Sequence, residues 1–134
     1  MRFMKDYTEN YGKTAGKIWK ILEKHGPLSE SDVIKKTRLN KNDFFSGIGW
    51  LARENKICKI GAKYKLGETN LTDNIGNNAG KVWNALRTTQ DIDVSSIAEI
   101  SQIKIKDAHS ALGWLAREDK IQALKGKEIK FKLK

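Results

Sequence analysis

Gly49-Trp50-Leu51-Ala52-Arg53-Glu54-Asn55-Lys56-Ile57 returns as Gly113-Trp114-Leu115-Ala116-Arg117-Glu118-Asp119-Lys120-Ile121, 64 residues later. Working outward, the same offset joins Asn10-Tyr11-Gly12-Lys13-Thr14-Ala15-Gly16-Lys17-Ile18-Trp19 to Asn74-Ile75-Gly76-Asn77-Asn78-Ala79-Gly80-Lys81-Val82-Trp83. No net insertion separates the two matches, so one supersecondary unit is used twice. The 134 residues therefore divide into repeats 1–67 and 68–134. A unit of that size buries only about 60% of its unfolded surface. The repeats are predicted to pack on each other, giving a monomer with an internal pseudo-dimer.

Within one repeat, Ala15, Ile18, Trp19 and Leu22 fall at i, i+3, i+4 and i+7, which predicts an amphipathic helix over 8–24. His25-Gly26-Pro27 ends it. Its twin carries Ala79, Val82, Trp83 and Leu86 and ends near Thr88-Thr89. Ser29 with Asp32, and Asp93 in the second copy, read as N-caps of a second helix whose inward residues are Val33 and Ile34, or Val94, Ile97 and Ala98. Asn40 with Asp43 caps a third helix over 41–55, with Phe44, Ile48, Leu51 and Ala52 on its core face. The helical wheel sets Asn42, Ser46, Gly49 and Arg53 opposite, in solvent; the matching set is Lys106, Ser110, Gly113 and Arg117. Two short strands end each repeat, 57–60 with 64–66 and 121–124 with 129–134, and the second turn is the longer. Helix, helix, helix, hairpin is the order of a winged helix-turn-helix. The expected fold is mainly α with small β-hairpins: a tandem, pseudo-twofold winged helix-turn-helix.

Gly-x-x-Ala-Gly-x-(Ile/Val)-Trp-x-x-Leu followed by Gly-Trp-Leu-Ala-Arg-Glu-x-Lys-Ile resembles a small winged helix-turn-helix family of bacteria and archaea, known mainly as a domain of unknown function. The resemblance covers nearly the whole chain, once per repeat, and rests on Gly12, Ala15, Gly16, Trp19, Gly49, Trp50, Leu51, Ala52, Arg53, Glu54 and Lys56 and their partners. It implies the fold, and a homodimer for single-copy members. Here two copies are fused, so one chain does the work of that dimer. DNA binding follows by analogy, because winged helices also serve as protein-interaction modules.

Composition narrows the partners. The net charge is +10 and the pI is about 9.7, which points to an anionic partner, nucleic acid first. Residues 1–67 hold fifteen Lys/Arg against seven Asp/Glu, and residues 68–134 hold eleven against nine. The lone Cys58 excludes an intrachain disulfide and a thiolate metal cluster. No leader is read at Met1 and no apolar run approaches a membrane span, so the expected location is the cytoplasm. His25 and His109 stand alone, with no HExxH, Cys/His cluster or paired-carboxylate setting, so neither enzymatic activity nor a metal or other cofactor is expected.

Two functions from different classes fit. The first is a DNA-binding protein, a transcription regulator or a small chromatin protein. Its candidate contacts lie on the third helices (Lys41, Asn42, Ser46, Arg53; Lys104, Lys106, His109, Ser110, Arg117) and on the wings (Lys59, Lys63, Lys65; Lys125, Lys127). Asn and Arg are the types that read adenine and guanine edges, and Lys neutralises phosphates. For Arg53 and Arg117 a salt bridge fixing helix to wing stands beside that reading; for the wing lysines, a charged edge that resists aggregation. The second function is a tandem winged-helix scaffold that binds proteins. An apolar patch left open would favour it. Trp50 and Trp114, with Gly12, Gly16, Gly76 and Gly80, are candidates for the interface between repeats: aromatics are enriched in such patches, and glycines four apart on a helix invite close approach. Packing within a single repeat is the alternative.

Overall fold

The computed structural model describes residues 6–134; the absence of a leader was read at Met1, outside this span. The first repeat consists of α1 (Glu9–His25), β1 (Leu28–Ser29), α2 (Glu30–Thr37), α3 (Lys41–Arg53), β2 (Ile57–Ile60) and β3 (Lys63–Leu66). The second consists of α4 (Thr72–Thr88), α5 (Val94–Ser101), α6 (Ile105–Arg117), β4 (Ile121–Lys125) and β5 (Ile129–Leu133). These are two winged helices in tandem, mainly helical, with small antiparallel hairpins.

The caps form where the sequence sets them. Ser29 Oγ accepts from Asp32 N at 3.2 Å, Asn40 Oδ1 from Asp43 N at 2.7 Å, and Asp93 Oδ1 from Ser96 N at 2.9 Å. Each satisfies an amide that the first helical turn leaves without a partner. Gly26, at φ 77°, closes α1 by donating its N–H to Leu22 O.

The short strand β1 was not foreseen. It pairs with β3 (Leu28↔Tyr64) and makes a three-stranded sheet of order β1-β3-β2. The second repeat reduces it to one bridge, Ile92↔Phe131, beside the β4-β5 hairpin. The turn of that hairpin, 126–128, is only one residue longer than its twin at 61–62.

Each repeat has its own apolar core, and each core is completed by the other repeat. Ala15, Ile18, Leu22, Val33, Phe44, Ile48, Leu51 and Ile57 are joined by Ile75 from α4. Val82, Leu86, Ile97, Ala108, Leu112, Leu115, Ile121 and Phe131 are joined by Tyr11 from α1. Tyr11 and Ile75 are pseudo-equivalent, so the first turn of each N-terminal helix is exchanged. The backbone follows. Asp6 bridges to Leu124, Tyr7 N donates to Ala123 O, and Ala123 N donates to Asp6 Oδ1. On the opposite side Lys59 N donates to Asn70 Oδ1 at 2.9 Å, and Asn70 Nδ2 donates to Lys59 O at 2.8 Å.

Candidate functional site

The third helices do not face solvent as a pair; α3 and α6 cross on each other. A Cβ built on Gly49 would stand 1.8 Å from Ser110 O, and one on Gly113 would stand 1.9 Å from Ser46 O. Only glycine lets the two backbones come this close. Ser46 is 1% exposed and Ser110 6%. Their hydroxyls donate to carbonyls one turn back, Asn42 O at 3.2 Å and Lys106 O at 3.3 Å. The wheel rightly placed these residues opposite their own core, but that face is covered by the other repeat. Ser46, Gly49, Ser110 and Gly113 are therefore not solvent-facing, and the two serines are closed to a nucleic-acid base.

The ends of the crossing are tied by charge. Arg53 Nε donates to Glu118 Oε2 at 3.1 Å, and Arg117 Nε donates to Glu54 Oε2 at 2.9 Å. Arg53 lies over the Trp114 ring at 5.7 Å and Arg117 over Trp50 at 5.8 Å. Both arginines are about half exposed. Solvent screening holds such a pair to about 0.2–1 kcal/mol, and the ring contact adds about 0.5–1 kcal/mol. These bonds run between repeats, not from helix to wing. They also occupy the guanidinium groups that the DNA reading assigned to bases or phosphates.

Trp50 and Trp114 each pack against both cores. The glycines divide. A Cβ on Gly12 would meet Trp50 at 3.1 Å and one on Gly76 would meet Trp114 at 3.5 Å, so both lie under the tryptophan of their own repeat. Around Gly16 and Gly80 nothing stands within 4 Å. None of the four lies at a crossing of α1 with α4.

The candidate lysines remain outside: Lys41, Lys104 and Lys106 at the starts of the third helices, and Lys59, Lys63, Lys65, Lys125 and Lys127 on the wings are all exposed, as is Asn42. Lys59, Lys106 and Lys125 rest over the rings of Tyr64, Phe45 and Tyr7 at 5.5, 5.9 and 5.3 Å. Burial pushes the Tyr64 phenol up to about 12. His109 is turned inward: its Nε2 is buried with no partner, and burial lowers its pKa to about 4. It offers no charge to a phosphate near neutral pH.

Sequence reasoning passed over one basic feature. Lys13, Lys17, Lys20 and Lys24 lie at i, i+4, i+7 and i+11 on α1, and all four are exposed. At 100° per residue they share one narrow stripe, roughly 16 Å long. The signal was present, but α1 was read for its apolar face.

A family model described as a winged helix-turn-helix domain of unknown function (DUF2582) matches the chain twice, over residues 4–66 and 70–132. The chain belongs to this family. Its domains are not typically enzymes, and the winged-helix fold commonly binds DNA. Among curated proteins, the uncharacterized protein MJ1608 of Methanocaldococcus jannaschii is 44% identical over 57 residues, which are 40% of this chain and 80% of that protein. The matched stretch is thus shorter than one repeat of this family member. No solved structure matches. Among the described residues, no helix is long and apolar enough to cross a membrane, and no group of three His, Cys, Asp or Glu residues is placed to hold a metal.

Proposed function

We propose that the protein binds double-stranded DNA along the phosphate backbone, with little preference for sequence, as a small chromatin or regulatory protein of the cytoplasm. The observation that carries this reading is the division on the third helices and wings. The groups suited to phosphates are exposed lysines, while the serines and arginines suited to bases are buried or paired between repeats. The wings and the α1 stripe supply the contacts; the third helices supply only their N-terminal ends, Lys41, Asn42, Lys104 and Lys106. The scaffold reading needs an open apolar patch. The exposed large apolar side chains among the described residues are Ile60, Ile100 and Ile105, one each on β2, α5 and α6.

Fluorescence anisotropy on a duplex of random sequence tests this at two salt concentrations. Affinity should fall with a log–log slope of about −0.9 per neutralised phosphate, near −4 if four to five lysines engage. Lys63→Ala and Lys127→Ala should each weaken binding for every duplex and flatten that slope. Lys17→Ala should do the same. Binding that ignores salt, or none at low salt, would move the assignment to the scaffold.

A further inference from the structure

The pseudo-twofold is broken at the start of the third helices. Where α3 carries Phe44-Phe45 at the end of its first turn, α6 carries Ala108-His109. In the first repeat Phe44 stacks edge-on against Phe45 and Tyr64, with centroids 5.2 and 5.3 Å apart. Lys106, reaching from the second repeat, covers Phe45. This position is plugged. Across the pseudo-axis the same position holds Ala108, His109 and Phe131, and the residue facing it is the shorter Asn42. Tyr11, in place of Ile75, fills part of the lost volume. What remains is a cavity of about 360 Å³ between the repeats.

We propose that this cavity binds a small organic cation, an ammonium group on an aromatic or apolar body. Three carboxylates, Asp43, Asp93 and Glu128, line it, and no lysine or arginine does. Lys17 and Lys125 act on Asp43, and Lys130 acts on Asp93, from outside the lining. Tyr7, Tyr11, Ile129 and Phe131 form an apolar wall. The carboxylates do not converge as a metal site does. Asp93 and Glu128 lie within side-chain hydrogen-bond reach of each other, and with Asp43 they line a space at the small end of organic-ligand pockets, which run from about 300 Å³ upward. His109 lines the same space, and its Nε2 is buried behind that lining without a hydrogen-bond partner. Such atoms are rare in folded proteins, and a turn of the imidazole toward a bound N–H or O–H group would satisfy this one. Burial keeps the ring uncharged near neutral pH, so it does not repel a cation.

The test is an NMR titration of the full chain with 2-phenylethylammonium, with 2-phenylethanol and 3-phenylpropionate as neutral and anionic controls, in the absence of DNA. The cation should give saturable shifts at Asp43, Ser46, Val94 and His109, with an affinity at least about tenfold above either control, the scale of one charge-assisted contact. His109→Phe installs the plug of the other repeat and should abolish saturation while thermal unfolding remains cooperative. Asn42→Lys, at an exposed position, restores the other half of the plug and should act alike even if the first variant folds poorly. Failure of the cation to saturate, equal binding of all three probes, or undiminished binding by a folded His109→Phe or Asn42→Lys protein would overturn the assignment.

Discussion

Alanine in place of glycine should change sign between two helices of this molecule. At Gly49 the new Cβ would stand 1.8 Å from a backbone carbonyl oxygen of α6, and real Cβ contacts essentially never fall below 3.0 Å. The helices must part by at least 1.2 Å at their crossing, and no rotamer change relieves it because the obstacle is main chain. A gap of about 0.5–1 Å already forfeits a quarter to a half of a dispersion well. Ser46, Phe45, Trp50 and Trp114 all lie near this crossing, so the loss is shared by several side chains. We expect about 3–5 kcal/mol from overpacking and separation, offset by about 1 kcal/mol of helix propensity, a net cost of about 2–4 kcal/mol. For a chain of this size that lowers Tm by roughly 3–5 °C per kcal/mol. At Gly16 and Gly80 nothing lies within 4 Å and both residues are helical. There alanine should stabilise by about 0.5–1 kcal/mol. Thermal and urea unfolding of Gly49→Ala, Gly16→Ala and Gly80→Ala check the pair of signs. A Gly49→Ala protein as stable as the parent would refute the close crossing of α3 and α6.

Residues 1–67 alone lack the partner for Tyr11 and the source of Ile75, so light scattering should find a dimer or an unfolded chain, not a stable monomer; mixing the halves 1–67 and 68–134 should yield a heterodimer. His109 gives a pH signature. Its pKa is lowered from 6.5 to about 4 in the folded protein, so the unfolded chain binds the proton first as pH falls. Stability is therefore lost between about pH 6.5 and 4, by up to about 3 kcal/mol relative to His109→Phe, whose unfolding curve should lack that component.

The parts legible in the sequence were those set by short-range physics. Caps, apolar stripes and turn residues act within one element, and the repeat shows the apolar stripes and the cap of the second helix twice. The extra strand β1 was missed because two residues, Leu28-Ser29, carry no periodicity; pairing with β3 alone makes them a strand. The candidate site was misread for a related reason. A helical wheel states what lies opposite a helix's own core but not what covers that side. Ser46, Gly49 and Arg53 with their twins have the composition of a solvated face, yet small residues flanked by paired charges also describe a close helix crossing. Gly49 and Gly113 were the clue, since a helix keeps an unfavoured glycine where something presses on it. Gly16 and Gly80 meet nothing, so the same argument fails on α1 and α4, less than one turn from Trp19 and Trp83.

The two cores also show how the repeats diverged without losing their fold, and this can be tested at one pair. A Cβ on Gly47 would stand 2.6 Å from Ile18 Cδ1 and 3.1 Å from Thr14 Cγ2. In the second repeat the same two places hold Ala111 and Val82, both 0% exposed. Valine lacks the Cδ1 that obstructs Gly47, so the methyl group has moved from one helix to the other at nearly constant volume. Gly47→Ala alone should destabilise, by about 1–2 kcal/mol after its propensity gain. Ile18→Val alone should cost about 0.5–1.5 kcal/mol. Together they recreate the packing of the second repeat, and the double variant should be more stable than the sum predicts by about 1 kcal/mol or more. Urea unfolding of the four proteins measures that coupling directly. Simple additivity would mean that the small residues of α3 are not matched to α1. It would also weaken the reading of the cavity beside His109, which rests on the same principle: where the first repeat has Phe44-Phe45 the second has Ala108-His109, Tyr11 returns only part of the volume, and a space is left.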